Sequence, residues 1–218
     1  MQKEKREWLL HWNMSMAGGF LGGYAILVRG GILGSAQTGN MIEIVIQLLH
    51  GNWIQLLLRT VGWLIYVLSL TAALLIPKYV KKDFRKCCIL LELAGIVLLG
   101  LLPKDLPNLI GIYPIFALTA LQWGTFCGTK EYNSATIFST NNLRQTALSC
   151  AEYIRTKNPD QKRKFNFYSM TLLSYHIGVA ISVGAVYIWH IHGAWACAVL
   201  LLSAYFIHNK DVEQVEKI

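Results

Sequence analysis

Two stretches place polar side chains between long apolar blocks: "GSAQTGNMIEIVIQLLHGN" (34–52) and "FSTNNLRQTALSCAEY" (138–153). Each opens with Gly, Ser, Thr, Asn or Gln and then becomes a short amphipathic helix, expected at 41–50 and 142–154. Thr38 or Asn40 is placed to cap the first helix, and Thr140, Asn141 or Asn142 the second. A helix start offers free amide N–H groups and the positive end of the helix dipole, which suit an anionic or strongly polar group. On that basis Gln37, Thr38, Gly39, Asn40 and Glu43 from one stretch form a candidate binding set with Thr140, Asn141, Asn142 and Gln145 from the other. His176, in "LLSYHIGVA", is added as a modulating or proton-coupling group. The chemistry is recognition, not bond breaking. The chain holds no His-Glu-x-x-His, no Gly-x-Ser-x-Gly and no convincing nucleophile–base set, so it is not expected to be an enzyme and no metal or cofactor is assigned.

Other ionisable groups fit a structural role more simply. Glu92 lies inside an apolar run, where a carboxylate needs a partner, water or a proton. Arg59 is expected to reach the outer headgroups along its own stem, and Glu131 and Arg144 to be solvated. "AGGFLGGY" (17–24) brings four glycines into one helix, which lets a neighbouring backbone approach closely. Trp8, Trp12, Trp53 and Trp189 read as interface anchors.

These residues sit in a chain of 218 residues, 54% hydrophobic and only 15% charged, with a mean hydropathy of +0.41. Blocks such as 53–76 and 167–189 exceed the roughly 20 residues that cross about 30 Å of hydrocarbon. The fold class expected is all-α integral membrane. Six spans are drawn at 12–29, 53–77, 87–102, 109–128, 167–189 and 192–208, within one membrane domain, 1–218. The first span is expected to be uncleaved. With both termini cytoplasmic, all of the 20 lysines and arginines except Arg29, Arg59 and Lys104 fall on the cytoplasmic side, as the positive-inside rule requires. The net charge of +8 is therefore assigned to membrane topology, not to nucleic acid. The five cysteines, free of any Cys-x-x-Cys spacing, read as small apolar residues.

The halves correspond. Thr38 and Thr140, Asn40 and Asn142, Gly22 and Gly124, and Tyr24 and Phe126 recur at a spacing of 102 residues. The face Glu43, Gln47, His50 matches Gln145, Ser149, Glu152 in the same rhythm. Three spans per half, 12–102 and 109–208, require opposite insertion, an inverted repeat with a short broken helix after the first span of each half.

"GGFLGGYAILVRGGILGSAQTGNMIEI" (18–44), with "LQWGTFCGTKEYNSATIFSTNNLRQ" (121–145), resembles the YoaK-like family of bacterial inner-membrane proteins, a family of unknown function. The resemblance covers nearly the whole chain and rests most on Thr38-Gly39-Asn40 after a first helix containing Gly19-Phe20. It implies a six-span protein of the bacterial inner membrane. Many members resemble Gly-Phe-x-Asp-Ala in the first helix, whereas Gly22 and Gly23 stand at the Asp-Ala positions here.

The function these observations favour is transport of a small polar or anionic solute between the two polar breaks, with the lipid bilayer and a second copy as partners. The alternative is a non-transporting scaffold, sensor or assembly factor.

Overall fold

The computed structural model describes residues 2–80 and 83–215, so Lys81, Lys82 and Lys217, all expected on the cytoplasmic side, lie outside the described residues. Nine α-helices are found among them: α1 (Gln2–Val28), α2 (Gln37–Leu49), α3 (Trp53–Tyr79), α4 (Phe84–Leu101), α5 (Asn108–Gly111), α6 (Tyr113–Thr125), α7 (Thr140–Thr156), α8 (Pro159–Trp189) and α9 (Cys197–Val215). A 3-10 turn, His190–Ala196, joins α8 to α9. The stretches Trp53–Tyr79 and Pro159–Lys210 are long and apolar enough to cross a membrane.

Local chemistry places most boundaries. Gly51, at φ 69°, closes α2, and the Asn52 side chain accepts from the Gln55 amide to start α3. Asn158 caps α8 through the Asp160 amide at 2.9 Å, with Pro159 at its first position. Asp83 caps α4 by accepting from the Lys86 amide at 3.1 Å and also contacts His208 Nε2 at 2.6 Å. Burial alone would raise the Asp83 carboxyl; the hydrogen bonds from His208 and Lys86 hold it below its ordinary value.

Several expected ends move. The helix expected from 12 begins at Gln2, and the one expected from 167 begins at Pro159. In both, polar turns continue the helix beyond its apolar part and pair across it: Glu4 and Glu131 both meet Arg163. Glu131 is thus paired, not merely solvated.

Contacts at the helix ends give each helix a direction. Trp12 Nε1 donates to the Phe167 carbonyl at 3.3 Å, and further along the Tyr24 hydroxyl donates to the Ile191 carbonyl at 2.8 Å, so α1 and α8 run together. Arg85 bonds Glu7 at 3.0 Å and His192 Nδ1 lies 2.8 Å from the Gly100 carbonyl, so α4 runs with α1. In the opposite sense, the Tyr113 hydroxyl donates to the Leu58 carbonyl at 2.7 Å, and Gly124 meets Leu70 and Ala73, so α6 runs with α3. Contacts of Ser203 with Asn13 and of His208 with Asp83 set α9 against α1 and α4.

The packing exchanges partners between the halves. The first helix of the chain, α1, lies along α8, and α6 lies along α3; α2 folds back on α3 as α7 folds back on α8. The α1–α8 contact runs through glycine, as the sequence leads one to expect. A Cβ at Gly19 would overlap the Tyr175 carbonyl oxygen, and one at Gly178 the Met16 carbonyl oxygen. Outward, Leu57 and Leu68 of α3 and Leu49 of α2 are exposed apolar surface. Trp53 and Trp189 are exposed, while Trp8 packs edge-on against Phe167 with ring centroids 5.2 Å apart.

Gly178→Ala is expected to lower the melting temperature in detergent by several degrees, since overpacking a backbone contact costs about 1–3 kcal/mol. Gly184→Ala, on the same helix with open space at its Cβ, is expected to leave it unchanged or raise it. Equal effects of the two would contradict the α1–α8 packing.

Candidate functional site

The two short helices begin at non-helical segments buried against the other half. Gly34, three residues before α2, sits against Ile115 and Phe116 of α6, and the same Phe116 meets Gly62, well inside α3. The Thr136 carbonyl and Ile137 lie against Gly18, in the second half of α1. Each break therefore touches the first helix of the opposite half at a depth well within the bundle. Both helices turn back from there along the next one.

The helices start earlier than the sequence indicates, which corrects the capping assignment. Ala36 and Ser139 occupy the cap positions and neither makes a side-chain cap hydrogen bond. Thr38 and Asn40, like Thr140, Asn141 and Asn142, fall inside the first turns, where their side chains are free to engage the preceding loop instead. At α2, Gln37 Nε2 donates to the Gly34 carbonyl at 2.9 Å. Ser35 Oγ, Gln37 Oε1 and Asn40 Nδ2 are buried with no hydrogen-bond partner. Thr38 and Gly39 are exposed, and a Cβ at Gly39 would meet nothing within 4 Å. Three unpartnered groups beside an uncapped helix start leave spare hydrogen-bonding capacity there.

At α7 the counterpart of Asn40, Asn142, is tied down, while Ser139 Oγ is left without a partner. Asn142 Nδ2 donates to the Ala135 carbonyl at 2.8 Å and Ser134 Oγ donates to Asn142 Oδ1 at 2.8 Å. The two roles of the amide fix the rest: Ser134 has spent its proton, so His11, with Nε2 at 2.9 Å, is the donor in that contact. Beside it Gln122 Nε2 donates to the Met14 carbonyl at 2.7 Å and to Thr136 Oγ1 at 3.0 Å. This buried network seats the second break on α1 and α6. Thr140 and Asn141 are exposed, and Gln145 is half-buried.

The remaining predicted residues divide. Glu43 lies on α2, where Gln47 Nε2 donates to it at 3.3 Å and Arg59 of α3 pairs with it at 3.4 Å. Arg59 is thus paired with a half-exposed carboxylate of the neighbouring helix. His176 is exposed on α8, its Nδ1 2.8 Å from the Leu172 carbonyl of its own helix, and does not join the others. Gln37, Asn40 and the Glu43–Arg59 pair lie on or beside α2, while the Asn142 network belongs to α7, and α2 and α7 pack on different helices. Glu92 is fully buried on α4, with Oε1 3.5 Å from Cys88 Sγ and Oε2 without a partner.

His11, Ser134, Thr136 and Gln122 are members of the buried network that motif reading passed over. A signal was present: His11, Asn13 and Ser15 interrupt an apolar run, and Thr119, Gln122 and Thr125 recur every three residues on α6. Only the fold reveals that these two polar faces meet the same loop.

The fold and site define an all-helical protein with apolar outer helices, two broken segments buried between its halves and a polar centre. The family described as a protein of unknown function, DUF1275, matches residues 10–207, and the chain belongs to that family. No curated protein and no solved structure matches it.

Asn142→Ala is expected to destabilise the protein by about 1–3 kcal/mol, by stranding Ser134 and a loop carbonyl. His11→Ala is expected to be coupled to it, because the two share Ser134. A double-mutant cycle in detergent unfolding checks this: a coupling of at least about 0.5 kcal/mol is expected, and additivity would contradict the shared network.

Proposed function

We propose that the chain is a six-span carrier of the bacterial inner membrane that moves a small polar or anionic solute, without catalysing a reaction. The alternating helix directions, with α1, α4 and α8 opposed to α3, α6 and α9, support two inverted three-span repeats. The exchanged pairings, α1 with α8 and α6 with α3, support the same arrangement. The basic clusters at 78–86 and 157–164 then lie on the cytoplasmic side with both termini. Six spans are few for a moving carrier, so the working unit is a homodimer.

The observation that carries the proposal is the start of α2. A helix that begins inside the bundle, uncapped and flanked by the unpartnered Ser35, Gln37 and Asn40, has hydrogen-bonding capacity that the protein itself does not use. Bilayer-depth backbone is tolerated where it lines a hydrated space, and a polar solute in that space would complete these groups. Glu43, neutralised by Arg59, would keep the approach polar without a net charge. Asn142 and its network would act as the fixed side against which the α2 start moves.

A second reading has one observation in its favour. Asn142 at the α7 start is held on both sides of its amide by protein contacts, and α2 and α7 stand on different helices, as in a rigid scaffold, sensor or assembly factor without a solute path.

Uptake of labelled acetate, phosphate, sulfate and glycerol into proteoliposomes separates the two. For a transported member of this panel, Gln37→Leu and Asn40→Leu are each expected to cut flux about tenfold, the equivalent of about one hydrogen bond of roughly 1.4 kcal/mol. His176→Ala, facing outward, is expected to leave it unchanged. No flux of any probe, or unchanged flux in both leucine variants at normal folding, would favour the scaffold.

A further inference from the structure

At the end of α1 the chain leaves the helix through Arg29 and then turns at Gly30 and Gly31, with φ of 64° and 80°. A cavity of about 240 Å³ opens at this point, walled by Leu27, Val28 and Val186 and fringed by Arg29, Lys104 and His190. No carboxylate lines it. It lies at the end of the bundle remote from Asp83 and the start of α4.

Arg29 is 1% exposed, yet its Nε and Nη2 have no hydrogen-bond partner, and no ion pair reaches it among the described residues. Its guanidinium rests on Gly111, where a Cβ would come within 2.5 Å of Cζ and Nε. The glycine is what leaves room for the group. Asp105, beside Lys104, is exposed and makes no ion pair with Arg29.

His190 adds a second sign of construction. It holds φ 51° and ψ −126°, a conformation that a non-glycine residue keeps only where its surroundings enforce it. The enforcement is visible on the two residues that follow in the chain. The Ile191 carbonyl accepts from Tyr24, and the His192 ring is held at the Gly100 carbonyl. The strained residue is thereby fixed at the cavity edge.

A buried guanidinium with unpaired N–H groups is costly unless an anion completes it. Its planar fork matches the oxygens of a phosphate or carboxylate, and an exposed lysine at the mouth adds a mobile point charge. We propose that this cavity is a binding site for a phosphate group, carried by a free anion or by an anionic lipid headgroup, with Arg29 as the anchor and Lys104 and His190 at its rim.

Thermal melting of the full-length protein tests this in two arms. In neutral detergent the probe is inorganic phosphate at constant ionic strength. In nanodiscs it is phosphatidylglycerol added to phosphatidylcholine. A saturable rise in melting temperature with phosphate, lost in Arg29→Gln and weakened about tenfold in Lys104→Gln, supports a free anion. A rise confined to discs containing phosphatidylglycerol, lost in the same variants, supports a headgroup. Should Arg29→Gln fail to fold, Lys104→Gln and His190→Gln carry the comparison. A wild-type protein indifferent to both probes, or variants that respond as it does, would overturn the site. Because the readout is binding and not flux, the result is separable from the transport proposal.

Discussion

Polypeptide without helical hydrogen bonds can sit inside an apolar bundle only if other groups take up its amides and carbonyls, and the two breaks before α2 and α7 are where this chain meets that constraint. The loop before α7 meets it by side chains. Asn142 holds the Ala135 carbonyl, Gln122 holds Thr136, and Gly18 offers a bare surface for the Thr136 carbonyl to lie on. Because these partners come from α1, α6 and α7, satisfying the loop also locks the halves together. The glycine-lined crossing of α1 with α8 fits this, since α7 lies along α8 while the loop that leads into α7 rests on Gly18 of α1.

The loop before α2 meets the same constraint incompletely. Gln37 secures the Gly34 carbonyl, but Ser35, Asn40 and the far oxygen of Gln37 are left over. Two positions equivalent in sequence, Asn40 and Asn142, thus have opposite fates: one is a strut and the other is unspent. Arg29 and Glu92 extend the contrast, each fully buried with atoms that no side chain answers. Where a protein leaves buried polar groups unpaired, a ligand, a proton or water is the usual complement. Such atoms also occur at the α7 network, on His11, Gln122 and Ser139, but at the α2 break they include the Asn40 amide and at the end of α1 two atoms of one buried guanidinium.

Much of the fold was legible because it rests on periodicity and punctuation. The apolar blocks marked the long helices and the 102-residue spacing of Thr-x-Asn marked both breaks, whereas the junction at Asn158-Pro159 was missed because α8 begins in a polar turn ahead of its apolar part. The helix starts were misjudged by a few residues because a Thr or Asn looks like a cap, although here the caps are Ala36 and Ser139 and the polar residues reach backward from inside the helix. The site was only partly legible. Gln37 and Asn40 could be named from type and position, but His11, Gln122 and Thr136 lie far apart in sequence and become one network only when α6 and α7 close on α1. Arg29 looked like an ordinary flanking cation, because burial comes from Gly111, more than 80 residues away, and leaves no local trace. Arg59 likewise found Glu43, a partner on another helix.

Burial of both breaks within the bundle, and not at its edge, is the claim on which the rest stands. Thr38 and Thr140 are exposed residues at the first turns of α2 and α7, so each accepts a spin label in a cysteine-free background with little disturbance. Depth by electron paramagnetic resonance, from oxygen against a water-soluble nickel relaxant in reconstituted bilayers, reads their level directly. The account predicts that both labels lie in the middle third of the hydrocarbon. Both labels at the headgroups would contradict it.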